Sequence, residues 1–592
     1  MIRRNGPSGN MVRRVGMPNH AIGTMHLTIR EVAAMAFERL WHKSYVTGIK
    51  PFLDFDRCTI SEFLSRNAEK YPSKPALIFM GRKMSFSEID SLSSRFAQAL
   101  QGIGVEKGDR VALLLPNVPQ IVISYFGIWR VGATAVPINP LYSDREIEHQ
   151  LSMSGATVLI TLDLLASRML ALKQKVGLQS IITCHINDYL PFPTKQIFPI
   201  LKKDMYASYR KSPGYYQFLD LMKRTAPAVS VTYPDLNDIA IIPYTGGTTG
   251  ISKGAIVSHN IISSVVQIVG AWLFDMEEGK EREIALFPFF HMAGFLLVMC
   301  VCLYRAWEII LVPRPDPDIA LDMALKYKPS IFLAVPTIYT GILNLPKFKT
   351  ADLSFIKAFF SGAAPLPVET IQALKAASGE KIGVIEGYGM TESTGITHMT
   401  PWRGVHKPGS VGVALPNTDM RIVDLETGEK ELPIGEEGEI VFRGPQMCAG
   451  YFNMPEETDA SLRNGWFHTG DIGRLDEDGF LYIVDRTKDM IIAGGYNIYP
   501  REIDEVLFEH PKVLEACVIG VPHEYRGETV KAFIVSKPGE KITPEEMDTF
   551  CRKRLAAFKV PKIYEFVDEL PKSVIGKILR KELRRRELER QT

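Results

Sequence analysis

Apolar and polar positions recur along this chain in two periods, and the changes of period mark its parts. Residues 76–80 (ALIFM), a turn at Gly81-Arg82 and residues 83–86 read as a hairpin. A helix follows, with Ser85 as N-cap and Glu88 three residues on, the pattern of a capping box. Its apolar face runs Phe86, Ile89, Leu92, Phe96, Leu100, at spacings of three and four. RVALLLPN (110–117) is an unbroken apolar run ending at a turn, as expected of a strand buried on both faces. QIVISYFGIWRVGATAVPIN (120–139) predicts helix, Gly132, then strand. This alternation through the middle of the chain argues for α/β layers.

Past about residue 418 the texture shifts. MRIVDLETGEKELPIGEEGEIVFRG has short runs, Gly-rich turns and alternating polarity, which predicts antiparallel strands. At Arg486–Asp489 the charged stretch DRTKD separates LYIV from MIIAGGYNIYP. The last hundred or so residues pattern as a small α+β unit: strand EACVIGVP, strand TVKAFIVS, helix TPEEMDTFCRKRLA, then a basic tail. A length of 592 residues suits several domains. The divisions expected are an N-terminal extension over 1–54, partly disordered, a large domain over 55–485, a boundary over 486–489 and a small domain over 490–592.

Leu286 to Tyr304 reads LFPFFHMAGFLLVMCVCLY, close to the roughly 20 residues that span a bilayer. Pro288 and His291 interrupt it, leaving about 12 apolar residues, a length typical of a buried helix. The first 30 residues carry Arg3, Arg4, Arg13 and Arg14 without a following apolar run, so a secretory signal is not expected; Met11, Met17 and Met25 are alternative starts. The net charge of +2 gives no reason to expect a nucleic-acid partner. The seven cysteines form no C-x-x-C pair, which leaves zinc without support and fits a reducing, cytoplasmic setting.

The sharpest local signal is Tyr244-Thr245-Gly246-Gly247-Thr248-Thr249-Gly250-Ile251-Ser252-Lys253-Gly254, after the apolar run DIAIIPY. Glycines let backbone N–H groups approach a ligand, and hydroxyls with an ammonium add donors suited to phosphate. No Walker A register fits, because Lys253 falls three residues after Gly250. The loop resembles the phosphate loop of the adenylate-forming superfamily, which includes acyl-CoA synthetases, luciferases and peptide-synthetase adenylation domains. The other motifs of that family appear in its order, and the resemblance covers about residues 55–590.

What the resemblance implies is specific. The fold would be a large domain of doubly wound sheets plus a distorted β-barrel, with a small mobile α+β domain hinged to it. ATP and CoA would be co-substrates and Mg²⁺ the cofactor. Thr245, Gly246, Gly247, Thr248, Thr249, Gly250 and Lys253 would hold phosphates, with Thr248 also near the metal. In Gly387-Tyr388-Gly389-Met390-Thr391-Glu392, Tyr388 would stack on adenine, Thr391 donate to the α-phosphate and Glu392 hold Mg²⁺. In Ser361-Gly362-Ala363-Ala364-Pro365, Ala363 would lie against adenine, while Gly362 and Ala364 leave room for the acyl carboxylate. Asp471, in Trp466-Phe467-His468-Thr469-Gly470-Asp471, would accept from the ribose hydroxyls. Arg486 would contact ribose or phosphate, and Lys488 takes the hinge position. Gly495 would line the pantetheine tunnel. Lys577, in Pro571-Lys572-Ser573-Val574-Ile575-Gly576-Lys577, matches the catalytic lysine; its charge lets a carboxylate approach the anionic α-phosphate. The arginines around it, Arg580 and Arg584 to Arg586, read as a solvated helix face.

The acid is less legible. Phe287-Pro288-Phe289-Phe290-His291 matches the acyl-pocket entrance, and Leu296–Leu303 has no charge to pair with a substrate ammonium. A medium- or long-chain fatty acid is expected. An aromatic or alicyclic acid, or an adenylate-forming reaction without CoA, is the alternative. Residues 190–210 resemble the insert of bacterial medium- and long-chain synthetases, which is compatible with peripheral contact at the inner membrane face. A homodimer is also compatible with the sequence.

Overall fold

The computed structural model describes residues 39–208, 213–223, 233–245, 252–362, 366, 368–379, 383–493, 496–523, 526–573 and 576–591. Most of the expected N-terminal extension, residues 1–38, lies outside the described residues. Residues 40–54 do not behave as an extension. Trp41 is buried, the Tyr45 hydroxyl donates to the Ala414 carbonyl at 2.6 Å, and Leu53 N–H donates to Asn417 Oδ1 at 2.9 Å. Residues 40–592 hold together as one unit.

Two sheets of mostly parallel strands carry the large part. The first has nine strands. Its parallel centre runs, side by side, Gly383–Tyr388, Ala358–Ser361, Ile331–Ala334, Arg282–Ala285, Glu308–Leu311 and Pro75–Phe79. Short antiparallel strands close both edges. The second has seven strands, in the order Val257–Ser258, Ile239–Ile241, Thr134–Pro137, Arg110–Leu114, Val158–Leu162, Ser180–Cys184 and Tyr215–Gln217. Every residue of the helix Pro119–Arg130 is buried, which its apolar composition requires. A third sheet of five antiparallel strands forms a half-barrel: Asp419–Val423, Gly438–Arg443, Trp466–Leu475, Leu462–Arg463 and Leu481–Arg486. The fourth, after residue 490, pairs Val513–His523 with Gly527–Ser536, and Ile503, Leu507 and Met547 from its helices fill its core. This is the α/β class expected from the pattern, with an α+β unit at the C-terminal end.

Register decides where chemistry can occur. Ala285 pairs with Leu333, Ala334 with Ser361, and Ser361 with Glu386, so four parallel strands end level with one another. The loops that leave them gather at one edge, the usual crevice of an open parallel sheet. Asn117, just past a strand of the second sheet, ties this edge together. Its Nδ2 donates to the carbonyls of Ala285 (3.0 Å) and Phe287 (2.9 Å), and its Oδ1 accepts from Phe289 N–H at 2.8 Å.

Three local expectations need correction. Ser85 caps Phe86–Gly102 by accepting from Glu88 N–H at 3.1 Å, but Glu88 does not return the bond; its carboxylate is drawn off by Arg82 at 2.7 Å. The apolar run at 286–304 is no plain helix. Gly294–Cys300 is wound as a π-helix and only Val301–Tyr304 is α-helical. A Cβ at Gly294 would sit 2.3 Å from the Pro288 carbonyl oxygen, so the chain folds back on itself where a side chain has no room. Among the described residues no helix is long and apolar enough to cross a membrane. Finally, the arginines of Arg580–Gln591 do not share one solvated face. Arg585 and Arg586 do face solvent, but Arg580 pairs with the buried Asp504, and Arg584 reaches back to residues 488 and 489.

One buried acid interrupts the first sheet. Glu283 lies on a central strand and accepts from Cys302 Sγ at 3.0 Å; burial pushes its carboxyl up to about 8. The fold therefore keeps a proton that the unfolded chain releases above its ordinary value of 4.5. Stability from this group is full below that value and is lost as pH rises towards 8. Glu283→Gln should abolish that loss. We expect the variant to gain roughly 2–4 kcal/mol over the parent between about pH 5 and pH 8, read as urea midpoints; parallel pH profiles of the two proteins would contradict this.

Candidate active site

The crevice at the strand ends receives side chains from the first sheet, from the half-barrel and from a loop near the C-terminal end. Tyr388, last residue of Gly383–Tyr388, donates its hydroxyl to Asp471 Oδ2 at 2.7 Å. Asp471 lies on Trp466–Leu475 directly opposite Arg486, and its Oδ1 meets the Arg486 guanidinium at 2.8 Å. Asp471 is buried, and its charge is the first cause raising Arg486 above the usual guanidinium value. A carboxylate offers about four acceptor positions, so these two bonds leave capacity for two more donors. Tyr388 is half-buried, which leaves ring surface open to the crevice.

Lys577 arrives from the far end of the chain. A tight loop presents it: Ser573 N–H donates to the Lys577 carbonyl at 2.7 Å, and Gly576 N–H to the Ser573 carbonyl at 2.8 Å. Its ammonium is open to solvent inside a cleft crowded with protein. Repulsion from Arg486, then burial, draws it down to about 8, against the opposing pull of Asp471. The same ammonium adds to burial in drawing His291 down to about 4. Residues 291, 471, 486 and 577, expected together, are brought together.

The Gly/Thr-rich loop expected to hold phosphates is described only at its base. Tyr244–Thr245 pairs with Lys253–Gly254 as an antiparallel ladder, and the Ser252 hydroxyl donates to the Thr245 carbonyl at 2.7 Å. Gly246, Gly247, Thr248, Thr249 and Gly250 lie outside the described residues, as do Ala363, Ala364 and Gly495. Gly362 is described. A Cβ there would stand 3.8 Å from the Gly387 carbonyl, so the two motifs flank one gap.

Lys253 does not point into open solvent. Its ammonium pairs with Glu457 and lies 5.1 Å from the centre of the Tyr451 ring. Tyr451 in turn donates its hydroxyl to Glu392 Oε1 at 2.8 Å, and Cys448 N–H holds the Glu392 carbonyl at 2.7 Å. Glu392 follows Thr391 in a single 3₁₀ turn, Thr391–Ser393. Among the described residues nothing donates to Glu392 Oε2, so one carboxylate oxygen is free for a hard cation, and the donor type fits Mg²⁺. Tyr451 and Glu457 escaped the sequence reading. Tyr451 lies in a stretch with no helical or strand period and Glu457 in the short polar helix Pro455–Ser461, and their partners lie 59 and 204 positions away.

Around residue 488 the backbone is held from both sides. Thr487 gives its N–H (2.9 Å) and hydroxyl (3.1 Å) to the Gly470 carbonyl. Arg584 donates to the carbonyls of Lys488 (3.0 Å) and Asp489 (2.9 Å) and meets the Asp489 carboxylate at 3.1 Å. The N–H groups of Asp489 and Met490 both donate to the Arg486 carbonyl. The Lys488 side chain is exposed, and burial of its surroundings lowers it to about 8.

Comparison with known proteins finds matches along nearly the whole chain. Residues 64–452 match the AMP-binding enzyme family, and residues 502–577 match the AMP-binding enzyme C-terminal domain. A long-chain-fatty-acid–CoA ligase of Bacillus subtilis is 44% identical over 94% of this chain and 99% of its own length. ATP-bound MatB from Rhodopseudomonas palustris superposes with a TM-score of 0.78 at 31% identity, covering 89% of this chain and 99% of that one. An anthranilate CoA ligase in complex with anthranoyl-AMP gives a TM-score of 0.79 at 29% identity, over 91% and 99%.

The Tyr451 hydroxyl fixes where the Glu392 carboxylate points, and partners of this kind typically alter metal affinity or activity by about 10-fold or more when removed. Tyr451→Phe should therefore raise the Mg²⁺ concentration needed for half-maximal ATP–pyrophosphate exchange by roughly 10-fold, with the thermal midpoint little changed. An unaltered Mg²⁺ titration would show that Glu392 needs no such support.

Proposed function

This chain belongs to the AMP-binding enzyme family, and from that membership we propose which acid it takes and what each residue does. It is an AMP-forming acid–CoA ligase that uses ATP and CoA. The observation that best supports the residue roles is the convergence of Lys577, from the C-terminal loop, with the paired Asp471 and Arg486 of the half-barrel.

In the proposed first step the substrate carboxylate attacks the α-phosphorus of ATP. An acyl-adenylate forms and pyrophosphate leaves. Two anions must approach, so the barrier is largely electrostatic. The Lys577 ammonium sits where it can offset charge on the non-transferred oxygens, with Thr391 donating beside it. Asp471 accepts from the ribose hydroxyls, Arg486 stays close to ribose and α-phosphate, and the Tyr388 ring covers adenine. Lys253 exchanges Glu457 for phosphate oxygens. Glu392 would hold Mg²⁺, which supplies charge neutralisation for the departing pyrophosphate. In the second step the CoA thiol gives up its proton, its sulfur attacks the acyl carbon, and AMP leaves with the bonding pair. Residues 490–592 would turn about Lys488 between the steps, withdrawing Lys577 and bringing the loop at Gly495 to the thiol.

A medium- or long-chain fatty acid is the proposed substrate. Its support is the charge-free stretch Leu296–Leu303, buried beside His291, and the name of the Bacillus subtilis relative. The likeness to an anthranilate CoA ligase keeps an aromatic acid as the second reading. An acid panel from C2 to C18 with benzoate and cyclohexanecarboxylate, assayed for pyrophosphate release and CoA-thiol loss, tests both. Activity should peak at C8 or longer and vanish in Lys577→Ala; a maximum on benzoate would reverse the choice.

The proposal also places the enzyme in the cytoplasm, resting peripherally at the inner membrane face. Phe192, Ile200 and Leu201 are 82%, 68% and 72% exposed at and around the helix Thr194–Leu201, an arrangement suited to an interface. Vesicle flotation should recover the parent protein, and Phe192→Ser with Leu201→Ser should remain at the bottom of the gradient. Equal recovery of both would remove this part of the proposal.

A further inference from the structure

The residue before Lys577 is a glycine with φ of +72°, in the left-handed region where a side chain is strained. The space beside it is also closed. A Cβ at Gly576 would lie 2.4 Å from Oγ1 of Thr337, 3.2 Å from its Cγ2 and 3.3 Å from its Cβ. The backbone next to the Lys577 loop therefore rests directly on one threonine of the large part.

Thr337 stands on a firm base. It is the second residue of the helix Pro336–Leu343, which begins two residues after the strand Ile331–Ala334 ends. Tyr339, two positions further, is fully buried, and its hydroxyl lies 2.8 Å from the carbonyls of both Phe332 and Phe360, with its one hydrogen shared between them. Those carbonyls belong to neighbouring strands of the first sheet, so the start of the helix is tied to the sheet that forms the crevice. Gly576 can approach only as far as the Thr337 side chain allows. One residue later, the Lys577 ammonium meets the charges of Arg486 and Asp471 and acts on His291.

We propose that Thr337 is a positioning residue: it is the stop against which the Gly576-Lys577 backbone seats, and so sets how deeply the Lys577 ammonium enters the crevice. The proposal rests on the adenylation role given to Lys577 above. It adds that the seat acts through shape and not through hydrogen bonding: Oγ1 is the nearest atom, but among the described residues the Thr337 hydroxyl makes no hydrogen bond, and a methyl of valine would fill the same place. A wider side chain at 337 holds the loop off. An error of about 1 Å in the placement of a group at a reacting centre can cost on the order of 100-fold in rate.

The test separates the two half-reactions. Thr337→Leu should lower kcat for ATP-dependent acyl-adenylate formation by roughly 10- to 100-fold, with KM for ATP and for the acid unchanged. Thioester formation from supplied acyl-adenylate and CoA should stay within about twofold, because that step does not use the seated loop. Thr337→Val, which keeps the branched shape without the hydroxyl, should behave as the parent in both. The proposal is overturned if Thr337→Leu leaves adenylation intact, if both half-reactions fall together with the thermal midpoint, if KM moves instead of kcat, or if Thr337→Val is as defective as Thr337→Leu. Lys577→Ala run in parallel tells the two levels apart. A selective loss of adenylation there, with none in Thr337→Leu, removes the seat and keeps the role of Lys577. No selectivity in Lys577→Ala removes that role and the seat with it.

Discussion

A single buried carboxylate, Asp471, connects the parts that the chemistry needs. One oxygen accepts from Tyr388 at the end of the first sheet, and the other meets Arg486 at the end of the half-barrel. A buried charge of this kind is tolerable only when it is paired and hydrogen-bonded, and removing one partner is far more costly than never having had the pair. Asp471 also partly offsets the repulsion that Arg486 exerts on Lys577. Without it, the two cations would face each other across the crevice with only the weaker pull of Asp489 on both to offset their repulsion. The position of the nucleotide motifs, the last strand before residue 488 and the approach of the C-terminal loop all depend on this one acid.

The cation that would greet phosphate is likewise held in advance. Lys253 leans on Glu457 and on the Tyr451 ring, and Tyr451 reaches on to Glu392. Two groups of opposite charge, one suited to phosphate and one to a metal, are thus linked through a single tyrosine. Such a chain keeps both side chains near their working positions without burying either charge alone.

Much of this was legible in the sequence because it depends on local pattern. The helix at 86–102, the unbroken strand at 110–114 and the change of texture near 418 follow from periods of two and 3.6 that neighbouring residues display. The ordered motifs brought residues 388, 471, 486 and 577 to one site through resemblance, which periodicity could not have done. What escaped was set at long range. The Ser85 box was half-formed because Arg82 competed for Glu88, a choice between two neighbours that pattern alone does not rank. Arg584 was read as solvated because its charge looked like its neighbours' charges, yet it closes on a backbone some 95 positions earlier. Tyr451 sat in a loop without a period, and Thr337 in the first turn of a short helix whose pattern gives no sign of its contact with Gly576. The π-winding at 294–300 begins at Gly294, where the backbone packs closely against Pro288, a contact that composition does not register.

The bonds around Lys488 bear on how easily this protein could change shape. Thr487 is anchored to Gly470 on one side, and Arg584 grips the peptide after Lys488 on the other. Both anchors survive a twist about the torsions of Lys488 itself. The backbone bonds that bridge this residue, from Asp489 and Met490 to the Arg486 carbonyl, do not. Those two hydrogen bonds contribute about 1–3 kcal/mol net, and a turn about Lys488 would also give up the bond from Arg501 N–H to Asp485 Oδ2 at 2.8 Å and the seat of Gly576 on Thr337. The arrangement with Lys577 in the crevice is thus held by several separate contacts, and a ligand shifts it only by as much as it binds the two arrangements differently.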